Sequence, residues 1–148
     1  MIKVIVDAAD FDIGMETAEI GKIGGGAIAS FVGQVRQDEK LVALELEHYP
    51  AMTQKALENI ANSATNNWPL HAVTIIHRVG KLSVGENIVL AIASSDHRAA
   101  AINACSFIMD QLKTVAPFWK KEISVDGSTH WVEERRSDLD AANQWLKN

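Results

Sequence analysis

The run Phe107-Ile-Met-Asp-Gln-Leu-Lys-Thr-Val-Ala-Pro-Phe-Trp-Lys-Lys-Glu122 constrains the chain most. It reads as the end of a helix, a break at Pro117 and the start of a strand. Proline lacks an N–H and pushes the residue before it, here Ala116, toward extended geometry. A helix arriving at this point must stop, and the chain must turn. Lys113 and Lys120 lie on either side of the break, so the turn allows both amines to point into one space. The rest of the sequence reads as a frame for a pocket around this pair.

At about 100° per residue, Ile102, Cys105, Ile108, Met109, Leu112 and Val115 fall on one apolar arc of the helix. Lys113 lands at the edge of that arc, where an amine is expected to be half-desolvated and usable as a base or nucleophile. The alternative is a lysine whose stem lies along apolar surface while its amine reaches water. Phe107 falls opposite the arc, which suggests a second buried contact, with a partner chain as one candidate.

Composition narrows the class of function. The chain has 148 residues, 47% apolar and 22% charged, as expected for one globular domain. Its net charge of −5 gives no global basic field for nucleic acid, so any anion site must be local. No apolar run approaches the ~20 residues of a membrane span. The amino-terminal run Met1–Val6 reads as a strand rather than a secretion signal. These features point to a cytoplasmic protein. The single cysteine, Cys105, excludes an intrachain disulfide and a multi-cysteine zinc site. Its place on the apolar arc suggests a buried, inert thiol.

In chain order, strands are predicted at Ile2–Val6, Ala27–Val32, Leu41–His48, Ala72–Val79, Glu86–Ser95, Trp119–Val125 and Thr129–Glu133. In Leu41–His48, alternation puts Leu44, Leu46 and His48 on one face. A short helix is predicted at Met15–Ile20. A longer one runs from Pro50, the favoured first position for proline, to Asn67, with Met52, Ala56, Leu57, Ile60, Ala61 and Ala64 buried. Gly24-Gly-Gly26 lacks the Gly-Lys-Ser/Thr ending of a phosphate loop and reads as a flexible approach to a strand. Gly80–Gly85 reads as a loop, and Asp126-Gly127 as a hairpin turn. Ser137 or Asp138 is expected to cap a last helix through Trp145. Strands and helices mix without regular alternation, so the fold class is α+β.

Further cations sit at element ends. Arg36 follows a strand. His97 and Arg98 open the long helix, with Asp96 or Ser95 as the expected cap, where unsatisfied N–H groups and the helix dipole favour an anion. No His/Cys cluster has metal spacing, so no metal is expected. The residues describe a cationic, lysine-bearing pocket for a small phosphorylated substrate, with lysine as acid, base or nucleophile. They equally allow a non-catalytic binding module for such a ligand, or an interaction protein built on Phe107 and the tryptophans.

A resemblance goes further. Phe31-Val-Gly-Gln-Val-Arg36, Leu46-Glu-His-Tyr-Pro50, Ile76-His-Arg-Val-Gly80, Asp96-His-Arg98, Phe107–Lys113, Ala116-Pro-Phe-Trp-Lys120 and Trp131-Val-Glu-Glu134 occur in this order. Together they closely resemble the large, catalytic subunits of molybdopterin synthase, over nearly the whole chain. The resemblance implies a hammerhead-type mixed sheet with packed helices and a carboxy-terminal hairpin. It implies a homodimer within a heterotetramer, each large subunit binding a small ubiquitin-like sulfur-carrier subunit. The carrier's terminal thiocarboxylate would pass two sulfurs to cyclic pyranopterin monophosphate, forming the dithiolene, with no other cofactor. Lys113 and Lys120 then match the catalytic lysines. Arg36, His97 and Arg98 match the phosphate-holding residues, and Gln34, Val35, Lys121 and Glu122 join them as substrate-binding candidates. Three features depart from the pattern. Gln34 replaces a lysine, the Gln37–Lys40 turn is short, and His130 stands where arginine is expected.

Overall fold

The structure, a computed structural model, describes residues 1–132 and 136–147. Strands Ile2–Asp7 (β1), Ala27–Gln34 (β2), Leu70–Arg78 (β4) and Asn87–Ser95 (β6) form one sheet in the order β1-β4-β6-β2. The β1–β4 pair is parallel and the other two pairs are antiparallel. Strands Leu41–His48 (β3), Gly80–Ser83 (β5), Phe118–Ser124 (β7) and Thr129–Trp131 (β8) form a second sheet, ordered β5-β3-β7-β8. The mixed sheet, packed helices and carboxy-terminal hairpin give the α+β class expected.

The first sheet is covered on both faces, which explains the near-continuous apolar runs of β4 and β6. Helices Pro50–Asn67 (α2) and Arg98–Leu112 (α3) bury Leu57, Ile60, Ala61, Ala104 and Ile108 against Val73, Ile75, Val89, Ala91 and Ala93. Helix Ile13–Gly21 (α1) covers the other face, with Ile20 packed on Ala72, Ile76, Leu90 and Ile92. Val35, Leu46 and Leu82 form the small core of the second sheet.

Several expectations are corrected. Gly80–Ser83 is a strand, not a loop. It pairs antiparallel with β3 and buries Leu82, while the positive φ of Gly80 and Gly85 turns the chain at each side. In α2, Met52 is exposed, Ala56 is half-buried and Thr53 is buried instead. The reason is polar: Thr53 Oγ1 donates to the Pro117 carbonyl at 3.3 Å, tying α2 to the break after α3. The cap of α3 is His97, whose side chain makes no capping bond. Ser95 Oγ accepts from His97 N, and Asp96 turns to His71 Nε2 at 2.7 Å.

Phe107 is buried within the chain. Its ring meets Trp68 and Trp145 edge-on at 5.3 and 5.7 Å, so no partner chain is needed to cover it. Ile102 and Val115, expected on the buried arc, are exposed. The last helix (α4) spans Arg136–Asn143, so Ser137 and Asp138 lie inside its first turn rather than at its cap. A 3₁₀ turn at Gln144–Lys147 carries Trp145, whose indole donates to Asp110 Oδ2 at 2.8 Å. The expected strand end Glu133, and Glu134 beside it, lie outside the described residues.

The three glycines before β2 have specific work. Gly24 and Gly26 hold φ near +71° and +102°. A Cβ on Gly25 would run into the His71 ring. This is a shaped turn rather than a merely flexible one.

Candidate active site

Helix α3 ends at Leu112, and Lys113 is its C-cap. Val115 N bonds back to Gln111 O at 2.8 Å, the chain reverses through Ala116-Pro117, and β7 begins at once with Phe118. On β7, Phe118 and Lys120 share a face by the two-residue period. Register pairs them with His48 and Leu46 of β3. His77 of β4 lies flat on Phe118, with ring centroids 3.8 Å apart. Thus two sheets and the helix end meet here.

His77 is the deepest group in this cluster. Its Nδ1 sits 2.8 Å from the Arg78 carbonyl, which can only accept, so Nδ1 carries the proton. Burial pushes its pKa down to about 4, and the positive charges of Lys120, His48 and Lys113 push the same way. Pro117 lies between Lys113 at the end of α3 and Lys120 on β7. Lys113 itself is exposed in the single chain, however, rather than half-desolvated. As the C-cap it lies just beyond Leu112, the last helical residue.

The other candidates divide. Lys121 falls on the opposite face of β7, 3.1 Å from Glu45 and over the Trp131 ring at 5.4 Å. Glu122 shares the face of Lys120 and is 3.2 Å from His130 Nε2. The unexpected histidine at position 130 thus sits opposite an acid, as an arginine would. Val35 buries its side chain against Leu46 and Leu82, and its backbone bonds to Glu86 O and Gly85 N. Its side chain therefore cannot touch a substrate. Gln34 donates to Asn87 Oδ1 at 3.0 Å.

Arg36, His97 and Arg98 are exposed and do not meet. In the antiparallel β2–β6 pair, Gln34 lies opposite Asn87 and Ala27 opposite Ser95. Arg36 follows one end of that pair, and His97 and Arg98 follow the other. The nine residues of β6 separate them by roughly 26 Å at the usual rise per residue. Lys113 is at the Arg36 end, because α3 runs back along β6.

Two groups near the site had no role assigned from sequence. His48 was legible by parity with Leu44 and Leu46. His77 was not, since an apolar run buried on both faces shows no alternation. Cys105 is buried as expected, and burial pushes its thiol up to about 11.

Residues 6–115 match the model of the family described as MoaE protein. The chain belongs to the MoaE protein family. A relative from Mesorhizobium japonicum, named molybdopterin synthase catalytic subunit, is 48% identical over 146 residues, covering 96% of this chain and 92% of that protein. The Escherichia coli protein of the same name is 46% identical, covering 97% of each chain. Among solved structures, the molybdopterin biosynthesis MoaE protein of Burkholderia ambifaria superposes with a TM-score of 0.84, at 44% identity and 99% coverage of both chains. This MoaE-family chain therefore sits among the catalytic subunits of molybdopterin synthase, enzymes of molybdenum cofactor biosynthesis. Among the described residues, no helix is long and apolar enough to cross a membrane.

Proposed function

We propose that this MoaE-family chain transfers sulfur from the terminal thiocarboxylate of a small carrier subunit to cyclic pyranopterin monophosphate. The observation that carries this reading is the chain reversal at Pro117, which follows Lys113 at the end of α3 directly with a strand whose Lys120 shares the face of Phe118, the ring stacked on His77. Lys113 is exposed at the helix end, where it acts as acid, base or nucleophile, and Lys120 steadies the substrate or the carrier's terminus. The relatives' names, catalytic subunit, support a second subunit. So does Cys105: a buried thiol held in its protonated form is a poor nucleophile, so sulfur comes in trans.

The separation of Arg36 from His97 and Arg98 shapes the phosphate site. One chain cannot close all three on a single phosphate across ~26 Å. A second copy in antiparallel, two-fold contact brings the His97 end of one chain beside the Arg36 end of the other. The edge strand β2 exposes Ile28 and Phe31, and α3 beside it exposes Ile102, as expected for an apolar contact. The phosphate is held between chains, and the working unit is a cytoplasmic dimer carrying two small subunits.

The test is reconstitution. The purified chain, thiocarboxylated carrier and cyclic pyranopterin monophosphate should yield the dithiolene, detected as its oxidised fluorescent derivative. Lys113→Ala should abolish it. Failure of the parent chain, with a carrier proven competent on another synthase, would leave a binding module for a phosphorylated ligand.

A further inference from the structure

Arg78 closes β4 in the run Ile76-His-Arg-Val-Gly80, to which the proposed reaction gives no role. It is a buried charge, 8% exposed. All three nitrogens of its guanidinium are engaged. Nε and Nη2 both donate to the Ala8 carbonyl at 3.1 Å. Nη1 donates to the Asn87 carbonyl at 3.1 Å and to Glu86 Oε1 at 3.4 Å. Asp10 adds a second carboxylate at 4.0 Å. A planar fork with fixed N–H directions meets these acceptors together, which the single ammonium of a lysine does not.

These bonds fall where the sheet ladders run out. The last pair of the β4–β6 ladder is His77 with Val89. The β2–β6 ladder slips at the same level: Gly33 faces Val89, but Gln34 faces Asn87, so Ile88 is passed over. Such a bulge re-aims the chain that follows. Arg78 reaches past the end of its own strand to hold Glu86 and Asn87, and those two residues hold the end of β2. Glu86 O accepts from Val35 N at 2.9 Å, and Gly85 N donates to Val35 O at 2.9 Å. Asn87 Oδ1 accepts from Gln34 Nε2 at 3.0 Å. Arg36 is the next residue of the chain.

We propose that Arg78 is a positioning residue for the phosphate end of the site: it fixes the Glu86–Asn87 segment, and through it the Gln34–Val35 strand end that carries Arg36. Arg78 does not touch substrate. It sets where Arg36 leaves the sheet, so less ordering of that segment is left to be done when phosphate binds. The role given to Arg36 rests on the proposed function, while the bonds that fix its strand end do not.

Two arms of one experiment separate these halves. The first reads the backbone of the full chain by residue-resolved amide hydrogen exchange. Arg78→Lys keeps the charge and loses the fork. Asn87→Ala keeps Arg78 and removes only the side-chain links to Gln34 and Asp10. Exchange at Val35 is divided by exchange at Ile108, in the core of α3, which cancels any general loss of stability. That ratio should rise about tenfold in Arg78→Lys, the size expected when a bond to a charged group is lost.

The second arm reads turnover in the reconstituted synthase. Arg78→Lys should raise KM for cyclic pyranopterin monophosphate about tenfold, and Asn87→Ala by less, with kcat little changed, because a phosphate contact is lost from ground and transition states alike. Phe107→Ala, which destabilises the chain elsewhere, should leave KM at the parent value. An equal rise of KM in Phe107→Ala would reduce Arg78 to a structural role. An unchanged Val35 ratio in Arg78→Lys, or a fall in kcat with KM unchanged, would overturn the assignment. A parent chain that makes no dithiolene would remove the proposed reaction, while exchange at Val35 would still decide whether Arg78 holds the strand end.

Discussion

The ring of His77 rests on that of Phe118 with centroids 3.8 Å apart, joining the first sheet to the second. Burial of this ring favours its neutral form, and that has a consequence for stability. In the unfolded chain the imidazole titrates near 6.5, and in the fold near 4. Between those values the unfolded state binds more protons, so stability rises with pH across that window. It is fully present above about pH 6.5 and is lost as pH falls toward 4. The total is about 3 kcal/mol, from some 1.4 kcal/mol per unit. Denaturant unfolding from pH 4 to 7.5 should show this slope, and His77→Phe should flatten it. An equal slope in the variant would place the titrating group elsewhere.

Lys120 and Lys121 are adjacent in sequence and on opposite faces of β7. Lys120 shares the face of Phe118, the ring stacked on His77, while Lys121 is held by Glu45 and lies over Trp131. Lys113→Ala and Lys120→Ala should each lower kcat by roughly 10²-fold or more, the usual size of a lost acid–base group. Lys121→Ala should stay within a few-fold of the parent in the same turnover assay. A collapse in Lys121→Ala would move the site to the other face of the sheet.

The strands of this fold were largely legible because their signals are local. Leu41–His48 alternates and has the expected bounds, and Pro50 fixes the start of α2. Helix α3 misled for a physical reason. It buries small residues, Ala100, Ala101 and Ala104, as well as Phe107, so a wheel weighted by large side chains puts Ile102 inside when it is outside. The break between Lys113 and Lys120 was legible through Pro117. The separation of Arg36 from His97 and Arg98 was not, because it follows from the register of β2 on β6, residues far apart in sequence whose pairing no local pattern reveals.

That same separation predicts complementation between chains. Arg36→Ala and the double variant His97→Ala/Arg98→Ala should each be inactive alone. In a two-fold dimer, each site draws Arg36 from one chain and the His-Arg pair from the other. Mixed dimers of the two variants therefore hold one site with both defects and one with none. Random exchange makes half the dimers mixed, so about a quarter of the parent's sites should return. Turnover measured after dissociation and remixing checks this. Mixtures that stay inactive, with exchange verified by mass, would show that each chain builds its phosphate site alone.

Phe107, Trp68 and Trp145 meet edge-on in a three-ring cluster, with centroids between 5.3 and 5.7 Å. The cluster closes the carboxy-terminal turn onto α3, and the indole of Trp145 adds a bond to Asp110. Phe107→Ala should cost about 3–5 kcal/mol, since a buried ring is lost and two rings keep a void between them. Trp145→Phe keeps ring contact and loses the bond to Asp110, for a cost of about 1.5 kcal/mol. Ile102→Ser should change the unfolding free energy of the isolated chain by less than about 0.5 kcal/mol, because its side chain is exposed there. Chemical denaturation at low protein concentration measures all three. A small cost for Phe107→Ala with a large one for Ile102→Ser would restore the arrangement suggested by the helical wheel, with Phe107 facing outward and Ile102 in the core.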